Sequence, residues 1–173
     1  MYSKVKIAGH PVHPMLVPFP IVFYVSTVVS FIVYALGGDP FWLRTAFVCN
    51  VAGVVMALVA ATPGFIDWYF GIPKKTHARK DGRVHMALNV TALALFSLNL
   101  LVNGGSWSAA APVSWFGVVL PLLGLLVTAA AGYYGWSLVQ THHVGVQLSP
   151  EEERCVRKIS HIKDYDIPKK RAA

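Results

Sequence analysis

Apolar residues along this chain are gathered into four long runs, separated by short polar or basic segments. Each run is close to or above the roughly 20 residues that a helix needs to cross a bilayer. None shows the polar alternation expected of a transmembrane strand. We therefore predict an all-α integral membrane four-helix bundle, with spans at about 19–36, 41–70, 84–102 and 113–140.

Proline, glycine and capping residues mark the ends of these spans. The first span is entered through prolines at 11, 14, 18 and 20, as expected for residues tolerated in the first helical turn. A separate, short amphipathic helix is predicted in the C-terminal tail, where Ser149 and Glu152 form a capping box around Pro150. This divides the chain into a four-span domain at 1–146 and a tail at 147–173. Cys155, Ile159 and Ile162 fall on one face of the tail helix, which lies along lipid head groups or docks on a partner.

The distribution of positive charge predicts the topology. Only 13% of the residues are charged, the net charge is +7 and the mean hydropathy is +0.52. In a four-span topology, 14 of the 15 Lys and Arg lie on one side, and only Arg44 lies on the other. Cytoplasmic loops collect Lys and Arg, so both termini are predicted to be cytoplasmic. The basic charge suits anionic lipid head groups, and no nucleic acid partner is expected. No cleavage site follows the first run, which we interpret as a retained helix and not a signal peptide.

Small and polar residues recur at helical spacing along three of the spans. Steps of three and four residues keep each set on one helix face, where it allows close helix packing. We expect these faces to meet at the centre of the bundle. The sets are Asn50, Gly53, Ala57, Ala60, Gly64 and Asp67 on the second span; His85, Asn89, Ala92, Phe96, Asn99 and Asn103 on the third; and Gly117, Pro121, Gly124, Thr128, Ala131 and Gly135 on the fourth.

Histidines accumulate at the predicted cytoplasmic boundary. His10 and His13 precede the first span, His85 opens the third, and His142 and His143 follow the fourth. Imidazole binds iron, copper and zinc, and helical bundles hold such sites between facing helices. A b-type haem needs one or two axial histidines from different helices at similar depth. His13 with His85 satisfies this condition best, and His85 with His142 comes second.

Two other interpretations of the histidines stay open. One is a single transition-metal ion bound by three of His10, His13, His85 and His142, with Asp67 as a further ligand or a partner of a ligand. The other is that no cofactor binds, and that the histidines cap helix ends and contact head groups. If Asp67 faces inward, it should pair with a histidine or with Arg83, because an unpaired buried charge is costly. The two cysteines, Cys49 and Cys155, form no CxxC or CxxCH motif, which excludes a c-type haem attachment.

Four stretches of the chain resemble a known bacterial family. They read GHPVHPMLV with FPI shortly after it, TPGFID, RVHMALN, and the segment from Leu138 to Val146. Together they resemble the signature of domain of unknown function 2231, over nearly the whole chain as far as Val146. The resemblance implies a four-span protein of the bacterial inner membrane. Some members are fused to or encoded beside Rieske or cytochrome modules, which implies a role in electron transfer. The matched residues are His10, His13, Asp67, His85, Asn89 and His142. Many members have a histidine where this chain has Pro18.

Two functions follow as hypotheses. In the first, the chain is a membrane redox subunit that holds a b-type haem or a metal near the cytoplasmic face. It would exchange electrons at that side with a partner subunit or the quinone pool, because one cofactor cannot carry electrons across a bilayer about 30 Å thick. In the second, the chain is a non-catalytic anchor or assembly subunit of a larger complex. A transporter is less well supported, since no repeat of inverted topology stands out.

Overall fold

The computed structural model describes residues 3–106, 115–146, 149, 151–152, 154–155 and 158. A short antiparallel hairpin comes first, with strand β1 at Lys6–Ile7 paired to strand β2 at His10–Pro11. The helices that follow are α1 (Val12–Leu16), α2 (Pro18–Gly37), α3 (Pro40–Ile66), α4 (His77–Asn103) and α5 (Trp115–Gln140). A π-helical turn, Asp67–Gly71, extends α3, and a 3₁₀ turn, Gly104–Ser106, extends α4.

Four of the described segments are long and apolar enough to cross a membrane, which confirms the predicted bundle of spans. They are Val12–Gly37, Pro40–Gly71, His77–Asn103 and Gly117–Gln140. The largest departure from prediction is α4, which begins seven residues before the predicted span. The hydroxyl of Thr76 accepts a hydrogen bond from the amide of Arg79 and starts the helix there. Hydropathy marks the part of a helix that lies in lipid, whereas capping decides where the helix begins.

The chain passes up and down through the bundle in four crossings. α2 packs chiefly on α3 and α4 chiefly on α5, and the pairs join through α2 with α5 and α3 with α4. One end of the bundle is therefore formed by residues 3–18, 67–85 and 137–146. This basic end holds nearly all the Lys and Arg of the described spans and loops, and Arg44 lies at the opposite end. That the basic end faces the cytoplasm remains a prediction from charge.

Burial follows the pattern expected of a protein surrounded by lipid. Large apolar side chains point outward, among them Leu36, Leu101 and Leu126, at 85%, 80% and 68% exposure. The interior holds mostly small, polar or aromatic residues, and the predicted faces of α3, α4 and α5 do meet there. Asn89 is the exception, because its side chain is exposed. The bilayer supplies the apolar surroundings that a soluble core would otherwise provide.

The two halves of the bundle repeat one another. Each residue of α1–α2 corresponds to the residue 72 positions later, in α4. Each residue of α3 corresponds to the residue 71 positions later, in α5. Most of the buried positions coincide, with Ser30 and Val102 as an exception, and two glycines of each half support large side chains at matched positions. The matched pairs are His13 with His85, Pro20 with Ala92, Tyr24 with Phe96, Thr27 with Asn99, Phe31 with Asn103, Gly53 with Gly124, Ala60 with Ala131 and Gly64 with Gly135.

This repeat is parallel and not inverted, since both halves begin at the basic end. Parallel repeats are related by an axis along the membrane normal. Residues at matched positions are thus expected to face each other across that axis at equal depth. The repeat escaped sequence analysis because most of the matched positions keep only size or burial, and not residue type.

The beginning of the tail confirms the predicted capping box. The amide of Glu152 donates to the hydroxyl of Ser149, and the amide of Ser149 donates to the carboxylate of Glu152. Hydrogen bonding from the backbone amide of Ser149, and secondly from its side chain, holds the pKa of the Glu152 carboxyl below its usual value. Residues 151–152, 154–155 and 158 are helical. Ile159 and Ile162, which complete the predicted apolar face, lie outside the described residues.

Candidate functional site

His13 lies on α1 and is held against α3. Its Nδ1 donates to the carbonyl oxygen of Ala60 at 2.8 Å. The ring rests on Gly64, one turn farther along α3: a Cβ there would lie 2.7 Å from Nδ1. Pro63, between them, has no N–H and leaves the helix short of one internal hydrogen bond. A glycine and a carbonyl group of α3 thus form a fitted seat for this imidazole.

His85 on α4 is held against α5 in the same way. Its Nδ1 donates to the carbonyl oxygen of Ala131 at 2.8 Å. The ring rests on Gly135, where a Cβ would lie 3.0 Å from Cε1 of the imidazole. In both halves of the bundle the carbonyl group precedes the glycine by four residues. The two seats are therefore equivalent under the internal repeat.

The two imidazoles meet between the halves of the bundle. Their ring centroids are 6.3 Å apart and their planes are inclined by 83°. A carbonyl oxygen only accepts hydrogen bonds, so the proton of each neutral ring must be on Nδ1. That places the lone pair of each ring on Nε2, in the tautomer that metal-binding histidines commonly adopt when Nδ1–H donates to a carbonyl group. Of the predicted site residues, this is the pair that the structure brings together.

An aromatic pair closes the interior beyond the histidines. Tyr24 and Phe96 each follow their histidine by 11 residues, and their rings stack at 3.7 Å with planes 2° apart. Each ring also rests on a glycine, Gly53 for Tyr24 and Gly124 for Phe96. The stack lies about 16 Å from the histidines along the helices, at 1.5 Å per residue. The histidine pair therefore belongs to the basic end alone.

A buried polar contact lies beyond the stack, toward the other end. The side-chain amide of Asn50 donates to Oδ1 of Asn99 at 2.9 Å, and the amide of Asn99 donates to the carbonyl oxygen of Gly117 at 3.0 Å. Both asparagines are completely buried. They join α3, α4 and α5, which is the packing role of polar groups inside a membrane bundle.

Asp67 has partners other than those expected from sequence. Among the described residues, neither a histidine nor Arg83 is bonded to it. Its carboxylate accepts the backbone amides of Lys4 and Val5 at 2.6 and 3.1 Å and the hydroxyl of Ser3 at 2.7 Å. Sequence analysis missed this because backbone donors of a distant segment leave no pattern in residue type.

His142 and His10 also have partners of their own. Nε2 of His142 lies 2.8 Å from a carboxylate oxygen of Asp81, at the rim of the basic end. Nδ1 of His10 donates to the carbonyl oxygen of Ala8, in the turn of the exposed hairpin. Within the described residues, no three His, Cys, Asp or Glu side chains form a metal-binding group. A compact site that adds Asp67 or His142 to the histidine pair would require these contacts to rearrange.

Asn89 lies one turn from His85 and contacts it. Its amide donates to the carbonyl oxygen of His85 at 2.8 Å and lies 3.3 Å from Nε2 of the same residue. The side chain is exposed at the flank of α4. Asn89 is therefore the one polar neighbour of this Nε2 among the hydrogen bonds of the described residues.

Arg79 lies between the predicted spans at 41–70 and 84–102, and the structure gives it a structural role. It is only 8% exposed, and its guanidinium donates to the carbonyl oxygens of Trp68, Tyr69 and Ile72. The same group lies 3.9 Å over the ring of Trp68. Carbonyl groups at a helix end lack partners within the helix, and Arg79 supplies them. The sequence feature that could have predicted this role is the capping residue Thr76, because a helix that begins after it includes Arg79.

The chain matches one family when it is compared with known proteins. A family model described as "Predicted membrane protein (DUF2231)" matches residues 9–148. The match includes both seated histidines, Asp67 and all four spans. No curated protein and no solved structure matches the chain significantly.

Proposed function

The chain belongs to the DUF2231 family of predicted membrane proteins, and from that premise we propose that it is a membrane redox subunit in which His13 and His85 hold one cofactor at the basic end. A b-type haem fits the donor set best. The observation that carries the proposal is the equivalent seating of two imidazoles from opposite halves of the bundle, with their centroids 6.3 Å apart.

The spacing suits two ligands on one metal. Imidazoles bound on opposite sides of an ion, with metal–nitrogen bonds of about 2.0–2.1 Å, have ring centroids roughly 6 Å apart. Hydrogen bonds from both Nδ1 atoms to carbonyl oxygens are the kind that fix the tautomer and orientation of metal ligands. The missing Cβ of Gly64 and of Gly135 leaves the space that each ring occupies against the helix.

The number of ligands favours haem over a bare ion. Structural and catalytic zinc sites use three or four protein ligands. Two histidines are the complete protein contribution to a haem with two axial imidazoles, because the macrocycle supplies the other ligands. When bound, haem iron supplies one-electron transfer. Basic side chains at this end, such as the exposed Arg83 two residues before His85, are suited to the haem carboxylates.

The rest of the bundle restricts where electrons go. The stack of Tyr24 on Phe96 closes the interior beyond the histidines. The site therefore serves one side of a bilayer about 30 Å thick, where a partner subunit or a quinone is the exchange partner. Anchoring of a larger complex without any cofactor is the alternative function, and the same experiment distinguishes the two.

The test is optical. The purified protein, expressed with haem supply, is expected to show reduced-minus-oxidised b-haem bands at close to one haem per chain. His13→Ala and His85→Ala should each abolish or strongly shift these bands. His10→Ala is the matched control, because its ring bonds to the hairpin turn and to nothing else in the described part of the chain. A folded protein without haem bands, or with bands that survive both substitutions, would refute the haem site. Intact assembly of a complex by the double variant would then favour the anchor function.

A further inference from the structure

Asp67 ties the N-terminal segment to the end of α3. Three donors converge on its carboxylate: two successive backbone amides, of Lys4 and Val5, and the hydroxyl of Ser3. Ser3 is itself buried, at 8% exposure. Hydrogen bonds to an ionised carboxylate are the stronger kind in proteins. The start of the described chain is thus held by one side chain more than 60 residues away.

The tied segment leads directly to His13. The carbonyl oxygen of Val5 accepts the amide of Val12 at 3.1 Å, and Val12 is the first residue of α1. The intervening residues form the hairpin, whose tight turn at Ala8 and Gly9 has positive φ at both positions, 49° and 83°. One path of hydrogen bonds thus joins Asp67 to the residue before His13.

Asp67 also stands next to the seat of this histidine. It follows Gly64 by three residues, so it lies within one turn of the glycine on which the imidazole rests. A carboxylate at the C-terminal end of a helix is on the unfavourable side of the helix dipole. Helix stability therefore does not account for an aspartate here, whereas fixing the N-terminal segment does.

We infer that Asp67 is a positioning residue for His13: by binding the backbone of the N-terminal strand, it fixes the start of α1 and with it the imidazole on the Gly64 seat. This inference rests on the proposed function, since it names the residue that sets the geometry of one proposed axial ligand. His85 needs no counterpart, because α4 begins at His77, two turns before it, whereas α1 begins at Val12, directly before His13. The role differs from that of a metal ligand, because the carboxylate stays on the backbone amides.

The experiment uses the full chain in detergent and four variants. Asp67→Ala removes all three bonds, and Asp67→Asn keeps the shape but removes the charge. Asp39→Asn is the matched control, since Asp39 also accepts a backbone amide, that of Phe41, at the opposite end of the same helix. Ser3→Ala removes a hydroxyl that lies within hydrogen-bond distance of Asp67 and of the carbonyl oxygen of Val5, and it leaves α3 untouched, so it serves if the Asp67 variants fail to fold.

The first measurement is hydrogen exchange of the N-terminal peptide, which contains the amides of Lys4 and Val5. Losing charge-assisted hydrogen bonds should speed their exchange by roughly tenfold or more in Asp67→Ala. Asp67→Asn should fall between this variant and the wild type, and Asp39→Asn should leave the peptide unchanged. Unchanged exchange in Asp67→Ala would overturn the inference, whether or not haem is bound.

The second measurement reports on His13 itself. In haem-loaded protein, the Asp67 variants should shift the absorption bands or the midpoint potential. Asp39→Asn should give the same values as the wild type. If the wild type binds no haem, the proposed function fails, and nitrogen NMR of the His13 ring becomes the readout. Loss of the Nδ1–H tautomer signal in Asp67→Ala would then support the positioning role. Faster exchange at the N-terminus with an unaltered His13 signal, optical or NMR, would overturn it.

Discussion

Replacing Gly64 by alanine probes the His13 seat most directly. The added Cβ would lie 2.7 Å from Nδ1 and 2.8 Å from Cε1 of the imidazole, closer than the 3.0 Å below which Cβ atoms essentially never approach a neighbour. Ordinary contact begins at 3.4 Å, so the ring must retreat by about 0.7 Å. The Nδ1 bond to Ala60, now 2.8 Å, would then exceed normal hydrogen-bond length.

The free energy of unfolding should fall by a measurable amount. Overpacking a fitted contact costs about 1–3 kcal/mol, and losing the hydrogen bond costs about 1 kcal/mol. The better helix propensity of alanine offsets about 0.5–1 kcal/mol of this. The net expectation is a loss of about 2 kcal/mol for Gly64→Ala. Gly135→Ala should cost less, because the Cβ would lie 3.0 Å from the His85 ring and a retreat of about 0.4 Å suffices.

Gly132→Ala provides the control on α5. A Cβ at Gly132 meets nothing within 4 Å, so this variant should be unchanged or more stable by up to about 1 kcal/mol. Thermal unfolding in detergent, followed by tryptophan fluorescence, gives the order of the three variants. Nitrogen NMR of the histidine rings shows whether the Nδ1 bonds are lost. Equal stability of Gly64→Ala and Gly132→Ala, with both ring signals unaltered, would refute the seat.

Four further substitutions test other parts of the structure. Tyr24→Phe should be neutral or stabilising by up to about 1 kcal/mol in thermal unfolding, because the buried hydroxyl has no hydrogen-bond partner among the described residues. Asn99→Ala should lower stability by about 1–2 kcal/mol, since it leaves an amide and a carbonyl group unpaired inside the bundle; an unchanged melting temperature would contradict this. Arg79→Lys should cost about 2–3 kcal/mol and expose the loop to protease, because an ammonium group cannot bond three carbonyl oxygens and stack on an indole in the same geometry. Ser149→Ala should raise the NMR titration midpoint of Glu152, whose pKa the cap holds below its usual 4.5. Because that pKa is depressed in the folded protein, the stabilisation by the cap is present above about pH 4.5 and disappears as the pH falls through the depressed value.

Sequence placed His13 and His85 together as the first choice of site, and the structure brings these two rings into contact. The inference was possible because an even number of crossings returns the chain to the same side of the membrane. The glycines that the two rings contact could not be predicted, since the contacts of Gly64 and Gly135 with the imidazoles depend on how the helices pack. The partners of Asp67 and His142 were likewise beyond prediction, because they depend on how residues 3–7 and Asp81 pack at the basic end.

The amino-acid sequence by itself determined the number of spans, their approximate limits, the side on which charge collects and the faces that turn inward. These properties follow from the transfer of each residue between water and lipid and from helical periodicity, which act on every segment separately. Only the tertiary structure decided the parallel repeat, the paired imidazoles, the aromatic stack and the hydrogen bonds of Arg79 to carbonyl groups of the π-helical turn. These depend on distances between helices far apart in the chain, set by how closely small residues let the backbones approach.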